Sequence, residues 1–350
     1  MFFKKLKFIQ IFFVLILLSN PLVQAKENTF DIAKIGYNYK FPADHQAHAK
    51  FASEWWYYTG ILHVGDQRSF GYQLTFFRVG LKPAEPSVYI AHFALSDLKD
   101  KKFYYFDRIN RPLLQMANAF PQKDGVLLWN KNWSAEIQNN EHFLKATADN
   151  IKIDLKLQSA QNPVIHGKPE EKISRKGNCP SCASHYYSLP NLHTSGEITI
   201  GEETFYAEGL SWMDHEFGSS QLQSNQTGWD WFGLHFNDGS SLMLYQLRES
   251  TGKTSPYSQG TYISADGKAQ HLSQKEIFMH PVKSWFSPQS KTFYPLVWEI
   301  TVPKLDLGLK VLPLALDQEL QTKNSTRIYY WEEPLKLLTV FLVKKQVRVI

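Results

Sequence analysis

Ile151-Lys152-Ile153-Asp154-Leu155-Lys156-Leu157 alternates apolar and polar residues without an error. A period of two marks a β-strand with one buried face and one wet face. Leu305-Asp306-Leu307-Gly308-Leu309-Lys310-Val311 alternates in the same way. Around these stretches, hairpins follow. Residues 54–64 and 69–79 flank the turn Gly65-Asp66-Gln67-Arg68, and residues 229–236 and 241–248 flank Asn237-Asp238-Gly239, a stronger turn signal. Long amphipathic helices are absent, and residues 270–278 have room for a helical turn or two. The fold class is all-β, in antiparallel barrels or sandwiches.

The hairpins hint at a repeat. Glu54-Trp55-Trp56-Tyr57-Tyr58-Thr59-Gly60 leads through a turn to a strand ending at Arg78. Gly228-Trp229-Asp230-Trp231-Phe232-Gly233 leads through a turn to a strand ending at Arg248. Each unit then reaches a strand begun by a Trp (Trp133, Trp298). Two copies of one β-unit fit the length, with the boundary near 190–195.

Residues 1–25 read as a secretory signal peptide. Lys4, Lys5 and Lys7 form a basic start, residues 8–18 are apolar except for Gln10, and Val23-Gln24-Ala25 is a small-x-small cleavage site. Eleven apolar residues fall short of the roughly 20 that span a bilayer. No later stretch is longer, so no transmembrane segment is expected in the mature chain. The protein is expected outside the cytoplasm, periplasmic or secreted. The chain of 350 residues has a formal net charge of +5; three of those charges are the signal lysines, which leaves +2 on residues 26–350. There is no basic block, so nucleic acid is not an expected partner. The 10 Trp, 17 Tyr and 24 Phe point to aromatic-lined interiors in strands.

Cys179 and Cys182 are the two cysteines. Cys-x-x-Cys serves as a redox pair, as half a zinc site or as a small disulfide loop. No helix is expected after the first Cys, because residues 185–189 read as a strand, and no second pair completes a zinc site. A structural disulfide fits an oxidising compartment best. So short a loop gives about 2 kcal/mol on the chain-entropy account.

Glu208-Gly209-Leu210-Ser211-Trp212-Met213-Asp214-His215-Glu216-Phe217-Gly218 is the densest candidate site. On a strand, Asp214 and Glu216 point one way and His215 the other. The plain alternative is that these groups cap a turn. A zincin helix would need His at position 219, which is Ser219. No metal or cofactor is therefore expected. Without G-x-S-x-G there is no nucleophile elbow. Trp229, Asp230 and Trp231 form a second cluster, and Glu54 beside Trp56 a third; core packing is the plainer role for at least one Trp. His92 lies in an otherwise apolar strand, where an inward polar group suits a ligand cavity.

In order along the chain, Glu54-Trp-Trp-Tyr-Tyr-Thr-Gly60, Gly209-x-x-Trp-Met-Asp-His-Glu216, Gly228-Trp-Asp-Trp-Phe232 and Leu242-Met-Leu-Tyr-Gln-Leu-Arg248 resemble the AttH family, which includes the carotenoid 1,2-hydratase (CrtC) branch. The resemblance runs from about Tyr39 to Trp331. It implies two tandem lipocalin-like β-barrel or sandwich domains, placed at 26–192 and 193–350, with a ligand site at or near their junction. The hydratase pattern of His-x-aromatic, then aromatic-x-Asp, carries onto His185-Tyr186-Tyr187 and Trp212-Met213-Asp214. It implies catalytic roles for His185, Tyr187, Trp212 and Asp214, and ligand contacts from Glu54, Trp56, His92, Glu216, Trp229, Asp230, Trp231 and Arg248. After Trp331 the resemblance fades. Further strands are expected to be missing after residue 332, as a one-base frame shift near Pro334 would produce.

Three functions compete. One is an exported binder of an isoprenoid- or lipid-like molecule that hydrates or isomerises it by acid catalysis, as a hydro-lyase. The second is a non-catalytic carrier working with an envelope ABC transporter. The third is a secreted hydrolase, for which no nucleophile is visible. Asp214 together with His185 in one cavity would favour the first; their separation, with an all-apolar cavity, would favour the second; a well-placed Ser or Thr bonded to a His would revive the third.

The cleavage site makes a definite claim. N-terminal sequencing of exported protein should read from Lys26; a chain retaining residues 8–18 would overturn the signal-peptide reading.

Overall fold

The computed structural model describes residues 29–219, 222–326, 329–332 and 334–339; the expected signal peptide lies outside them. The first hairpin forms as its turn suggested: β1 (Ser53–Val64) and β2 (Arg68–Val79) pair antiparallel from Ser53–Val79 to Val64–Arg68. The sheet continues through β3 (Val88–Asp97), β4 (Lys102–Asn110), β5 (Ala117–Gln122), β6 (Gly125–Asn130), β7 (Trp133–Gln138), β8 (Glu141–Ala148) and β9 (Ile151–Ser159). The short β10 (Val164–Ile165) and β11 (Ser174–Arg175) pair with β12 (Ala183–Ile200), which pairs with β13 (Glu203–Gly218). The order is β4-β3-β2-β1-β13-β12-β9-β8-β7-β6-β5, a nearly closed barrel. Side chains link the edge strand β4 to β6, next to the other edge: Arg108 donates to the Asn130 carbonyl at 3.1 Å, and Asn110 Nδ2 donates to Asn130 Oδ1 at 2.6 Å.

The alternation of 151–157 does what it promised. Ile151, Ile153, Leu155 and Leu157 are buried, and the residues between them are not. They join Trp56, Tyr58, Phe70, Leu74, Phe93 and Trp133 in a core that fills the barrel.

The second half is built from β14 (Gln226–His235), β15 (Ser241–Glu249), β16 (Gln259–Ile263), β17 (Ala269–Ser273), β18 (Phe278–Phe286), β19 (Phe293–Val302), β20 (Leu307–Pro313), β21 (Glu319–Gln321), β22 (Tyr329–Trp331) and β23 (Leu335–Thr339). Two four-stranded sheets, β14-β15-β16-β17 and β18-β19-β20-β23, bury Phe232, Leu234 and Leu244 against Trp298, Ile300 and Val311. The Asn237-Asp238-Gly239 hairpin needs its glycine, which sits at φ +81°. The hairpins at Gly65 and Gly239 each carry an ion pair: Arg78 with Glu54, directly opposite it, and Arg248 with Asp230, two positions along from its opposite residue Gly228.

Two expectations need correction. The boundary at 192/193 falls inside β12, whose later half pairs with β9 and β13; the sheets change over after Gly218 instead. A reversal at Ile200–Glu203, not the Pro190 that suggested a break, ends that strand, and Pro190 sits at an irregularity in the ladder. Strands also do not stop at residue 332, because β23 pairs with β20 from Leu309–Thr339 to Pro313–Leu335. Cys179 and Cys182 are disulfide-bonded, with Cα atoms 5.0 Å apart. They close the hairpin between β11 and β12.

The period-two reading has a direct test. Leu155→Ala should lower unfolding free energy by about 2–5 kcal/mol, and its neighbour Lys156→Ala by less than about 0.5 kcal/mol. Urea denaturation of both variants would show it; equal losses would mean the faces are misassigned.

Candidate functional site beside the first barrel

Directly opposed residues of neighbouring strands put their side chains on one face. Register therefore builds a row: Ser188 faces Asp214, Asp214 faces Tyr57, Tyr57 faces Thr75, Thr75 faces His92 and His92 faces Asp107. Six strands contribute one residue each. The row lies on the outside of the barrel, because Met213, Tyr58, Leu74 and Phe93 on the other face join the interior core. Trp212 and Tyr186, two positions along their strands, share the outer face and pack with Met243, Tyr245 and Trp231 of the second half.

Asp214 is buried at the near end of the row. Its Oδ1 accepts from Trp212 Nε1 at 2.6 Å and from Ser188 Oγ; its Oδ2 accepts from Tyr186 OH at 2.8 Å. Trp231 Nε1 donates to that same Tyr186 oxygen at 3.1 Å. The Trp231 ring meets Trp212 and Tyr57 edge-to-face, at centroid separations of 5.9 and 5.6 Å. Burial raises the Asp214 pKa, the three donors pull it down, and the charge of Glu216 adds to the rise; the outcome is about 7. Both hydroxyls can rotate to accept, so the neutral acid keeps its partners. Oδ2, with one partner, is the oxygen better placed to carry a proton.

A second carboxyl arrives from the far end of the chain. Glu332, half-buried, accepts from Tyr57 OH at 2.7 Å, and Tyr57 is the residue opposite Asp214. Burial pushes Glu332 up to about 7, against the pull of Tyr57 and with a further push from Asp214. Two residues earlier, Tyr330 OH bonds His92 Nδ1 at 2.7 Å; His92 Nε2 bonds Ser325 Oγ at 3.0 Å, and Ser325 donates to Asp107 at 2.6 Å. Burial holds His92 down at about 4, so it is neutral.

The expected partnership of Asp214 with His185 and Tyr187 does not form. With Ser188 opposite Asp214, the even-numbered Tyr186 and Ser188 share its face, and His185 and Tyr187 turn the other way. His185 lies opposite Phe217, its ring 4.2 Å from that of Tyr37, and burial lowers its pKa to about 4. Tyr187 OH bonds His45 Nδ1 at 2.7 Å and His215 Nδ1 at 2.8 Å inside the barrel. Alternation along 185–189, itself read as a strand, held the signal for this; extending the face assignment of Asp214 across the ladder would have found Tyr186.

Other candidates separate likewise. Trp229 is 54% exposed and stands apart from the cluster. Asp230 alternates with Trp231 and so faces the other way, where it pairs with Arg248. Glu54 and Trp56 belong to the barrel mouth: Trp56 stacks on His215 at 4.6 Å, and Glu54 bonds His48, His215 and Arg78. Glu216 stays near Asp214 but is engaged by Ser184 and by Lys176 at 3.3 Å. Sequence reasoning missed Glu332, Tyr57, Tyr186, Ser188 and Tyr330. Glu332 and Tyr330 reach the row only by long-range folding and carry no local signal.

Comparison with known proteins follows the geometry. A model of the family described as AttH-like matches residues 33–341. A crystal structure described as AttH, from Nitrosomonas europaea, is 28% identical and superimposes with a TM-score of 0.80 over 89% of this chain and 95% of that one. Kievitone hydratase from Nectria haematococca shares the fold, with a TM-score of 0.68 at 14% identity over 92% of this chain and 94% of its own. In sequence, 228 residues are 22% identical to dehydratase asqC of Emericella nidulans, which is 62% of this chain. The match spans 62% of that relative's length.

Asp214 should leave a signature in stability. Its folded pKa of about 7 exceeds the unfolded value of roughly 3.9. Between the two, the native state holds a proton that the unfolded chain has released, so stability falls as pH rises from about 4 to about 7. Asp214→Asn removes that dependence. Its stability relative to wild type should climb across the window, by as much as about 4 kcal/mol, and level off above about pH 8. Urea melts across that range would show it; a difference independent of pH would mean Asp214 stays ionised throughout.

Proposed function

This chain belongs to the AttH-like family, and we propose that it adds water to, or removes it from, a carbon–carbon double bond of a lipophilic small molecule by acid catalysis. The observation that carries the reading is the pair of raised carboxyls, Asp214 and Glu332, set among aromatic rings on one face of one sheet. Tyr57 links the two, opposite Asp214 and bonded to Glu332, and the charge of Asp214 raises Glu332, so one serves as an acid while the other serves as a base. The dehydratase and hydratase among the similar proteins support water chemistry.

Asp214 Oδ2–H protonates the alkene carbon, and the double-bond electrons form the new C–H bond. The neighbouring carbon becomes a cation. Trp231, Tyr57 and Tyr186 present faces and edges around that position, and cation–π attraction in a desolvated site is worth about 2 kcal/mol. Water captures the cation, and its surplus proton passes to the Glu332 carboxylate. The reverse sequence dehydrates a tertiary alcohol. Tyr186, Ser188 and Trp212 orient the acid.

The hydrolase reading rests on the buried contact of Ser188 Oγ with His166 Nε2 at 2.6 Å. While Asp214 is ionised, Ser188 gives its proton to that carboxylate, and His166 Nε2–H is then the donor in the contact. A donating nitrogen is no base toward the serine. A carrier has no use for two carboxyls poised near neutrality. The proposed setting remains outside the cytoplasm, after removal of residues 1–25.

The test is a panel of acyclic isoprenoid alkenes, their tertiary alcohols and prenylated phenols, incubated with residues 26–350 in H₂¹⁸O. Mass spectrometry should find product that has gained labelled water, or alcohol that has lost it. Asp214→Asn should fold and lose about 10²- to 10⁴-fold in rate. Undiminished turnover in that variant, or no conversion anywhere in the panel, would overturn the proposal.

A further inference from the structure

The barrel mouth holds a cluster that the proposed chemistry does not use. Glu54 Oε1 lies 2.8 Å from His48 Nδ1 and 2.8 Å from His215 Nε2. The three ligand atoms all fall within 4.8 Å of one another. All of them sit on the interior side of β1 and β13, across the sheet from Asp214.

We propose that His48, Glu54 and His215 form a binding site for one divalent transition-metal ion, for which zinc has the matching chemistry. Two imidazole nitrogens and one carboxylate oxygen make a common three-ligand set for zinc, with water as the fourth ligand. The sequence expectation was that no metal binds; it rested on the missing His at position 219 and did not see His48 and Glu54 come to His215 through the fold.

What marks the cluster is its surroundings. Metal-binding histidines usually bond a carboxylate or another polar group through the second nitrogen. His48 Nε2 bonds Asp44 Oδ1 at 3.0 Å, and His215 Nδ1 bonds Tyr187 OH at 2.8 Å. The second oxygen of Glu54 accepts from Arg78 Nε at 2.8 Å and the His48 amide at 2.9 Å. The rings are clamped as well. Phe217 stacks on His48 with centroids 3.6 Å apart and planes 6° off parallel, and Trp56 stacks on His215. Every ligand is thus oriented before an ion arrives. Without one, protons on His48 Nδ1 and His215 Nε2 bridge to Glu54. On binding, an ion displaces the His48 Nδ1 proton to solvent, while the single ring proton of His215 moves from Nε2 to Nδ1 and bonds Tyr187 OH; the N···O gaps then open by about half an ångström, to the roughly 3.3 Å edge of a zinc tetrahedron. The His48 side chain is 13% exposed and leaves an entry path. Since His48 precedes β1, the ion would tie the segment before that strand to the barrel wall.

Residues 26–350, stripped with EDTA and dialysed at about pH 8, would be titrated calorimetrically with ZnCl₂. One ion per chain should bind with sub-micromolar affinity and raise the melting temperature. His215→Gln and Glu54→Gln should each weaken binding by more than about 100-fold, and Asp44→Asn by about 10- to 100-fold. His280→Gln, an exposed histidine elsewhere, should change nothing. Because Glu54→Gln disturbs Arg78 and is at risk of misfolding, CoCl₂ added to wild-type protein gives an independent reading. Four- or five-coordinate cobalt absorbs strongly in the visible, whereas six-coordinate surface-bound cobalt does not. No binding, binding that survives His215→Gln, or weak cobalt absorption would overturn the site and leave a proton-bridged network alone.

Discussion

The ladder between β12 and β13 sets almost everything else. It puts Ser188 opposite Asp214 and Tyr187 opposite His215, and a strand's alternation then decides which partners meet on each face. Inside, His215 joins Tyr187, Glu54 and the aromatic core. Outside, Asp214 joins Ser188, Tyr186 and Trp212. A slip of one residue would exchange the two sets and bury the carboxyl among Trp56, Tyr58 and Leu74. The long run of pairing on both sides, with β1 and with β9, is what fixes the register.

Electrostatics around Asp214 is a contest between burial and hydrogen bonding. Asp214 has three donors, enough in an exposed site to hold a carboxylate well below its ordinary pKa. Burial outweighs them, with Glu216 adding to the rise. Glu54 shows the opposite outcome at the same depth. Burial raises it too, but His215 and His48 override that and hold it ionised. Asp214 has neutral donors and acidic neighbours; Glu54 has basic ones. The difference between an acid that can give a proton and a fixed anion therefore lies in the second layer of side chains.

Much of the fold was legible because it is written in local pattern. The alternation of 151–157, the hairpins at Gly65 and Gly239, and the disulfide loop all appear where they were read. Asp214 was legible as a buried carboxyl because Trp212, Met213 and Phe217 surround it in sequence. Its companions were not. Tyr186 and Ser188 depend on a register between two strands, and Glu332 and Tyr330 come from residues more than a hundred positions on. The family resemblance proposed His185 as a partner, yet resemblance along a chain does not say which face of a strand a residue occupies. Trp229 illustrates the same limit: two tryptophans one residue apart were read together, and only Trp231 reaches the candidate site.

Why the candidate site sits beside the barrel rather than inside it follows from volume. A small antiparallel barrel has an interior just wide enough for side chains to fill or for one small ligand. Here Trp56, Trp133, Tyr58, Phe70, Phe93 and Tyr187 occupy that space and are fully buried. A ligand inside would have to displace several of them. The outer face of β12, β13, β1, β2 and β3 is different, because its polar row cannot be left against apolar packing without partners. Part of it is met by Trp231 from β14, and part by Ser325, Tyr330 and Glu332 from the segment around β22. Those partners belong to the second half of the chain, which makes that half more than a duplicate of the first. It supplies the second carboxyl and covers the polar row, so the candidate site exists only where the two halves of the chain meet.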